Sequence, residues 1–174
     1  ALYFKECGFN LHDTMIYQKA GTGASGSNYA YWQSFEYMFV LSKGRPSIVC
    51  RLKDSPNKKA GSLASTGKKT QVVGTRRYAK PRTVEQYGIR ANIWRYHPSN
   101  GNDRTDHPAP FPELLAKDHI ISWSNAGGIV YDPFMGSGTT AKMARDTGRN
   151  YIGSEISKEY CDIAEERLKQ VSLI

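Results

Sequence analysis

Ten residues, Asp132-Pro133-Phe134-Met135-Gly136-Ser137-Gly138-Thr139-Thr140-Ala141, gather the most suggestive chemistry in the chain. A carboxylate, a proline, two glycines and a run of hydroxyls fit a strand end that turns into a helix around a ligand. The glycines let backbone amides approach what is bound, and the helix start offers N–H groups with no internal partner. Gly136 to Ala141 formally fits the G-x-G-x-x-G/A dinucleotide fingerprint. Glu155, closing the next apolar run, stands where an acid grips ribose hydroxyls. That match alone does not choose the ligand. Asp132 discriminates, because a carboxylate beside the turn repels a pyrophosphate and attracts an ammonium or sulfonium. A P-loop is excluded: Lys142 follows Ala141 rather than a glycine, and the glycine spacing is wrong.

Regular elements must hold this turn in place. From Asp106 the pattern is orderly. Pro112 sits near a helix start, with Leu114, Leu115, His119, Ile120 and Trp123 at near-helical spacing, and Asn125, Gly127 and Gly128 supply the stop. "GIVYDPF" reads as a short buried strand, "TTAKMARDTG" as a helix closed by Gly148, and "NYIGSEI" as a second strand. "SKEYCDIAEERLKQV" is a final amphipathic helix capped by Ser157, with Tyr160, Ile163, Ala164 and Leu168 inward. Helix–strand–helix–strand–helix is a parallel βαβ unit. Residues 1–44 read as strand material. Two aromatic-rich runs flank a Gly/Ser loop, predicting a long antiparallel hairpin with most aromatics in the sheet core, Phe39, Val40 and Leu41 among its buried positions, and Tyr29, Tyr31 and Trp32 bordering the loop.

Between these parts, residues 45–105 have weak periodicity and many chain breakers. This stretch holds 14 Lys and Arg against Asp54, Glu85 and Asp103, a net +11, while the remainder of the chain is −3 and the whole is +8. So concentrated a positive field fits a polyanion, and nucleic acid is the expected partner. Lys68, Lys69, Arg76, Arg77, Lys80 and Arg82 are the candidate phosphate contacts. Cys7, Cys50 and Cys161 are odd in number and lack any CxxC, which predicts core thiols in a reducing cytoplasm. No stretch approaches the apolar length of a membrane span, and no signal peptide is recognisable at the N-terminus. His107 and His97 have no carboxylate or cysteine to complete a cluster, so no metal is expected.

A small cationic nucleoside without phosphate is S-adenosylmethionine, and here the residues resemble a known family. "DPFMGSGTT" resembles the cofactor motif of DNA amino-methyltransferases, and "YIGSEIS" the acidic motif that follows it. "HPAPFPELLAKDHI" is similar to the segment before the cofactor strand in their permuted beta class. The likeness is strong from Asp106 to Leu173 and moderate from Gly8 to Gly44; across 45–105 only position and charge agree. The resemblance implies an α/β fold: a Rossmann-like methyltransferase sheet, mostly parallel with an antiparallel hairpin, circularly permuted and incomplete at the N-terminus. It divides the chain into a hairpin closing the catalytic half (1–44), a basic target-recognition region (45–105) and an S-adenosylmethionine-binding region (106–174).

The roles it implies are specific. Asp132 approaches the methionine ammonium; Pro133, Phe134, Gly136, Ser137 and Gly138 form the turn that closes on the cofactor; Thr139 and Thr140 add hydroxyls and helix N-terminal amides. Glu155 accepts both ribose hydroxyls, Ile156 packs on adenine, and His107, Pro108, Phe111 and Pro112 line the methionine end. The implied reaction is methyl transfer to an exocyclic amine of adenine or cytosine in double-stranded DNA, in a bacterial or phage-infected cell, as in restriction-modification. One departure matters. The family's catalytic signature, a polar residue before Pro-Pro and an aromatic, is absent, and the chain contains no Pro-Pro pair. It is expected upstream of Ala1, in the same gene or on a companion chain; a homodimer is left open. A non-catalytic nucleic-acid-binding fragment and a dinucleotide-dependent oxidoreductase are the alternatives.

Overall fold

The computed structural model of the chain describes residues 2–19, 29, 31–64, 82–97 and 111–170. Two compact units emerge: one formed by Ala1–Cys50 with Asn92–Ile174, the other by Arg51–Ala91.

The first unit opens with a helix of five residues, α1 (Leu2–Glu6), where strand was expected. It is followed by a turn through Gly8, whose φ of 86° suits the end of a helix; Cys7 and Gly8 amides donate to Tyr3 and Lys5 carbonyls at 3.1 and 3.0 Å. The hairpin follows as β1 (Asn10–Lys19) and β2 (Phe35–Ser42), antiparallel, with Thr14 opposite Phe39 and Ile16 opposite Tyr37. A later strand, β5 (Ile93–Tyr96), pairs parallel with the other edge of β1. Alternation then decides burial. Met15, Tyr17 and Trp94 are buried, whereas Phe35, Tyr37 and Phe39 share the opposite face and stay exposed. The aromatics expected in the sheet core therefore split. Phe39 is out, and its neighbours Val40 and Leu41 are half-buried. Phe35, Tyr37 and Phe39 instead form a ladder, with ring centroids 5.3 and 5.9 Å apart.

The βαβ unit is α2 (Glu113–Trp123), β6 (Ile129–Asp132), α3 (Thr139–Asp146), β7 (Asn150–Gly153) and α4 (Lys158–Lys169), with β6 and β7 parallel and Asp132 opposite Gly153. Pro112 caps α2 with φ −60°, and its carbonyl receives the Leu115 amide at 3.0 Å. The Ser157 hydroxyl caps α4 by accepting from the Tyr160 amide. Ala116 and Ile120 of α2 and Met143 and Ala144 of α3 make a small core with Val130 against it. Leu114, placed inward by its spacing, is half exposed because the buried stripe runs through Leu115, Ala116 and Ile120. The strand expected to be buried is covered on one face only: Ile129 and Tyr131 are 66% and 58% exposed. Among the described residues, no strand pairs with the free edges of β2 or β6.

The second unit is built on β3 (Lys53–Pro56) and β4 (Tyr87–Ile89), an antiparallel pair extended by a bridge between Leu63 and Thr83. Arg90 Nε donates to both oxygens of Asp54 at 3.0 Å, which holds that carboxyl below the usual range. The cysteines expected in the core are placed otherwise: Cys7 lies in the turn after α1 and Cys50 at the edge of the first unit, both exposed, with only Cys161 half-buried.

Candidate cofactor site

The site forms where β6 and β7 end together. Past the last paired residues the chains stay laced: the Ser154 amide donates to the Asp132 carbonyl and the Met135 amide to the Ser154 carbonyl, each at 2.9 Å. Both carboxylates singled out in the sequence sit here and shape the turn. Asp132 Oδ1 accepts from the Phe134 amide at 3.0 Å. Glu155 Oε2 accepts from the Gly136 amide at 2.8 Å, while its Oε1 accepts from the Ile156 and Ser157 amides at 2.9 Å. One carboxylate thus ties the glycine turn to the entry of α4.

The two glycines are required by their conformation. Gly136 has φ 53° and Gly138 φ 82°, and a Cβ on Gly138 would lie 2.9 Å from the Ala164 Cβ of α4. Ser137 and Thr139 are buried at 4% and 5%, whereas Phe134 and Ile156 flank the turn almost fully exposed at 86% and 101%, with Pro133 also exposed. Thr140 and Phe111 line a mainly apolar cavity of about 480 Å³ with Leu115, His119, Trp123 and Val130. Pro112 is buried at the start of α2. His107 and Pro108 lie outside the described residues, as do Lys68, Lys69, Arg76, Arg77 and Lys80; Arg82 is exposed in the second unit.

The polar groups sit at the strand ends, and the cavity is walled mainly by apolar side chains. At the strand ends lie two carboxylate acceptors and two uncovered apolar side chains, Phe134 and Ile156. This suits an ammonium, ribose hydroxyls and a flat base. In the cavity wall, His119 rests on Trp94 at 4.6 Å, with Nε2 3.0 Å from Met38 Sδ; burial pushes its pKa down against the opposing pull of Asp118.

Three residues that sequence reasoning did not single out for the site form a cluster that reaches the turn through Arg167. Arg167 Nη1 donates to the Ser137 carbonyl at 2.8 Å and hydroxyl at 3.0 Å and to Thr139 Oγ1 at 3.3 Å; Nη2 donates to Glu113 Oε1 at 3.0 Å. Lys142 Nζ donates to the same Glu113 oxygen. The one sequence signal for Arg167 is that it follows Ala164 by three, on the same helical face.

Residues 1–166 match a protein-family model described as DNA methylase. The chain belongs to the DNA methylase family. Its members are S-adenosylmethionine-dependent methyltransferases that act on exocyclic amines of adenine or cytosine in DNA, so a dinucleotide-dependent oxidoreductase is set aside. Over its whole length the chain is 52% identical to the orphan methyltransferase M.BamHII of Bacillus amyloliquefaciens, covering 68% of that protein. It is 34% identical, over 63% of its length, to the DNA adenine methyltransferase YhdJ of Escherichia coli, covering 37% of it. The crystal structure of the M1.HpyAVI–SAM complex superposes with a TM-score of 0.64 at 24% identity, covering 96% of this chain and 66% of that one. The cytosine-N4-specific PvuII DNA methyltransferase also gives 0.64, at 19% identity, covering 98% and 55%. The fold is therefore the methyltransferase one, and this DNA methylase chain spans about two thirds or less of the length of these relatives.

Proposed function

We propose that the protein methylates an exocyclic amine of adenine or cytosine in double-stranded DNA of a bacterial or phage-infected cell, with the cofactor held at the ends of β6 and β7. The observation that carries this reading is the pair of carboxylates, Asp132 at the end of β6 and Glu155 just past the end of the parallel strand β7, both tied to the glycine turn. Asp132 meets the methionine ammonium, and Glu155 the ribose hydroxyls. Phe134 and Ile156, both uncovered, offer apolar surface to the base, while Phe111 and Thr140 bound the methionine end with Pro112 behind them. His107 and Pro108 complete that end. The bound cofactor supplies an electrophilic methyl group on a sulfonium. The chain's own contribution is placement and water exclusion, which account for much of the rate in such a transfer.

Residues 45–105 serve as the target-recognition region in this reading, flanked by the hairpin portion (1–44) and the cofactor portion (106–174). Lys68, Lys69, Arg76, Arg77, Lys80 and Arg82 contact phosphates there. The group that orients the amine and the aromatic that stacks on the extruded base come from polypeptide outside these 174 residues, since the chain has no Pro-Pro-aromatic signature. Calorimetry of the full-length protein with S-adenosylmethionine tests the core of the proposal. Asp132→Ala should weaken binding by about 1.5–3 kcal/mol, the scale of a bond to a charged group. Unchanged affinity in a folded Asp132→Ala protein would remove Asp132 from the pocket.

A further inference from the structure

We propose that Arg167, Glu113 and Lys142 form a positioning strut that holds the glycine turn in the shape that receives the cofactor. The proposal rests on the reading of that turn as the cofactor site. A turn with two glycines at positive φ is intrinsically loose, because glycine has the largest backbone freedom to lose. Its ends are pinned from outside. Glu155 takes the Gly136 amide, and Arg167 takes the carbonyl and hydroxyl of Ser137 and the hydroxyl oxygen of Thr139.

The strut is built for rigidity. Arg167, Glu113 and Lys142 side chains are only 11%, 20% and 23% exposed, and they come from three helices, α4, α2 and α3. Both cations share Glu113 Oε1, so the carboxylate offsets two buried charges at once. Removing one member of such a cluster leaves an uncompensated charge out of water. The planar fork matters too: one guanidinium nitrogen serves Ser137 and the other serves Glu113, a division that a lysine ammonium cannot reproduce. Ala164, three residues earlier on α4, presses against Gly138, so a single helical face constrains the turn by shape and by charge.

The test uses the full-length protein, with the dissociation constant for S-adenosylmethionine from calorimetry, the KM for DNA, and thermal unfolding of the same samples. Arg167→Lys and Glu113→Gln should each raise the cofactor dissociation constant by about tenfold, the scale of one charge-assisted hydrogen bond, while the KM for DNA stays put. Glu113→Gln preserves side-chain shape and carries the test if Arg167→Lys does not fold; Lys142→Met, at the outer end of the cluster, carries it if neither does. A folded variant that melts earlier yet binds cofactor as the wild type does would overturn the proposal, reducing the strut to a stabilising contact. A wild-type protein that binds no S-adenosylmethionine would instead overturn the site assignment beneath it.

Discussion

Replacing Glu155 with glutamine exchanges one carboxylate oxygen for an NH2 at a carboxylate that receives at least three backbone amides. Oε1 takes the Ile156 and Ser157 amides and Oε2 takes that of Gly136. Glutamine keeps one oxygen. Pointing it at the Ile156 and Ser157 pair preserves two bonds and leaves the NH2 against the Gly136 N–H; the opposite flip sacrifices two bonds to save one. The first arrangement is cheaper, so the loss falls on the glycine turn, where Gly136 is buried. One bond to a charged acceptor is worth about 1.5–3 kcal/mol, and two donors face to face in a buried spot add to it. The turn should move away, and the cofactor dissociation constant should rise by about 10- to 150-fold. Glu155→Asp provides the control that keeps the charge and shortens the reach. Titration calorimetry on full-length protein reads the effect, with thermal unfolding run alongside to show that each variant is folded. A folded Glu155→Gln protein that binds within about twofold of wild type would refute the reasoning, since neither the turn nor the ribose would then depend on the carboxylate.

Gly138→Ala should cost about 2–4 kcal/mol of stability, from a left-handed φ of 82° and a Cβ driven to 2.9 Å from Ala164; chemical denaturation of the full-length protein measures it, and a loss below about 0.5 kcal/mol would show that α4 yields freely. Changing Arg76 and Arg77 together to alanine should flatten the dependence of log affinity for duplex DNA on log salt by up to about two units; an unchanged slope would place the phosphate contacts elsewhere. His119 has its pKa lowered by burial, so its stability contribution is complete above the unfolded value near 6.5 and is lost as pH falls from there towards the lowered folded value. Unfolding midpoints across that window should decline less steeply in His119→Gln than in wild type, and parallel curves would discount the histidine.

The C-terminal half was legible because its signals are local. Pro112 before α2, Ser157 at the cap of α4, Gly148 after α3 and the apolar runs of β6 and β7 each act within a few residues. The two carboxylates could be found for the same reason: Asp132 ends β6 and Glu155 follows β7 by two residues, each beside a recognisable turn. What escaped notice depends on distance along the chain. β5 joins β1 across more than seventy residues of sequence, and no periodicity in four residues announces a parallel partner. Glu113 and Arg167 are 54 residues apart, and on the helix pattern alone each reads as an ordinary surface charge. Burial also failed locally where a whole face is uncovered: Phe39 and Tyr131 carry strand-core side chains on faces that no described element covers.

The manner in which the second unit departs from the first and rejoins it has an evolutionary consequence. Leu52 accepts a hydrogen bond from the Arg90 amide at 2.9 Å, so the outgoing and returning strands run side by side where the insertion begins and ends. To the rest of the chain, 41 intervening residues behave as a plug-in with adjacent terminals. Swapping such a cassette leaves the span between its attachment points unchanged, and loop-closure entropy grows only slowly with the length of what is inserted. One compact part can then be exchanged for another with the same end-to-end span.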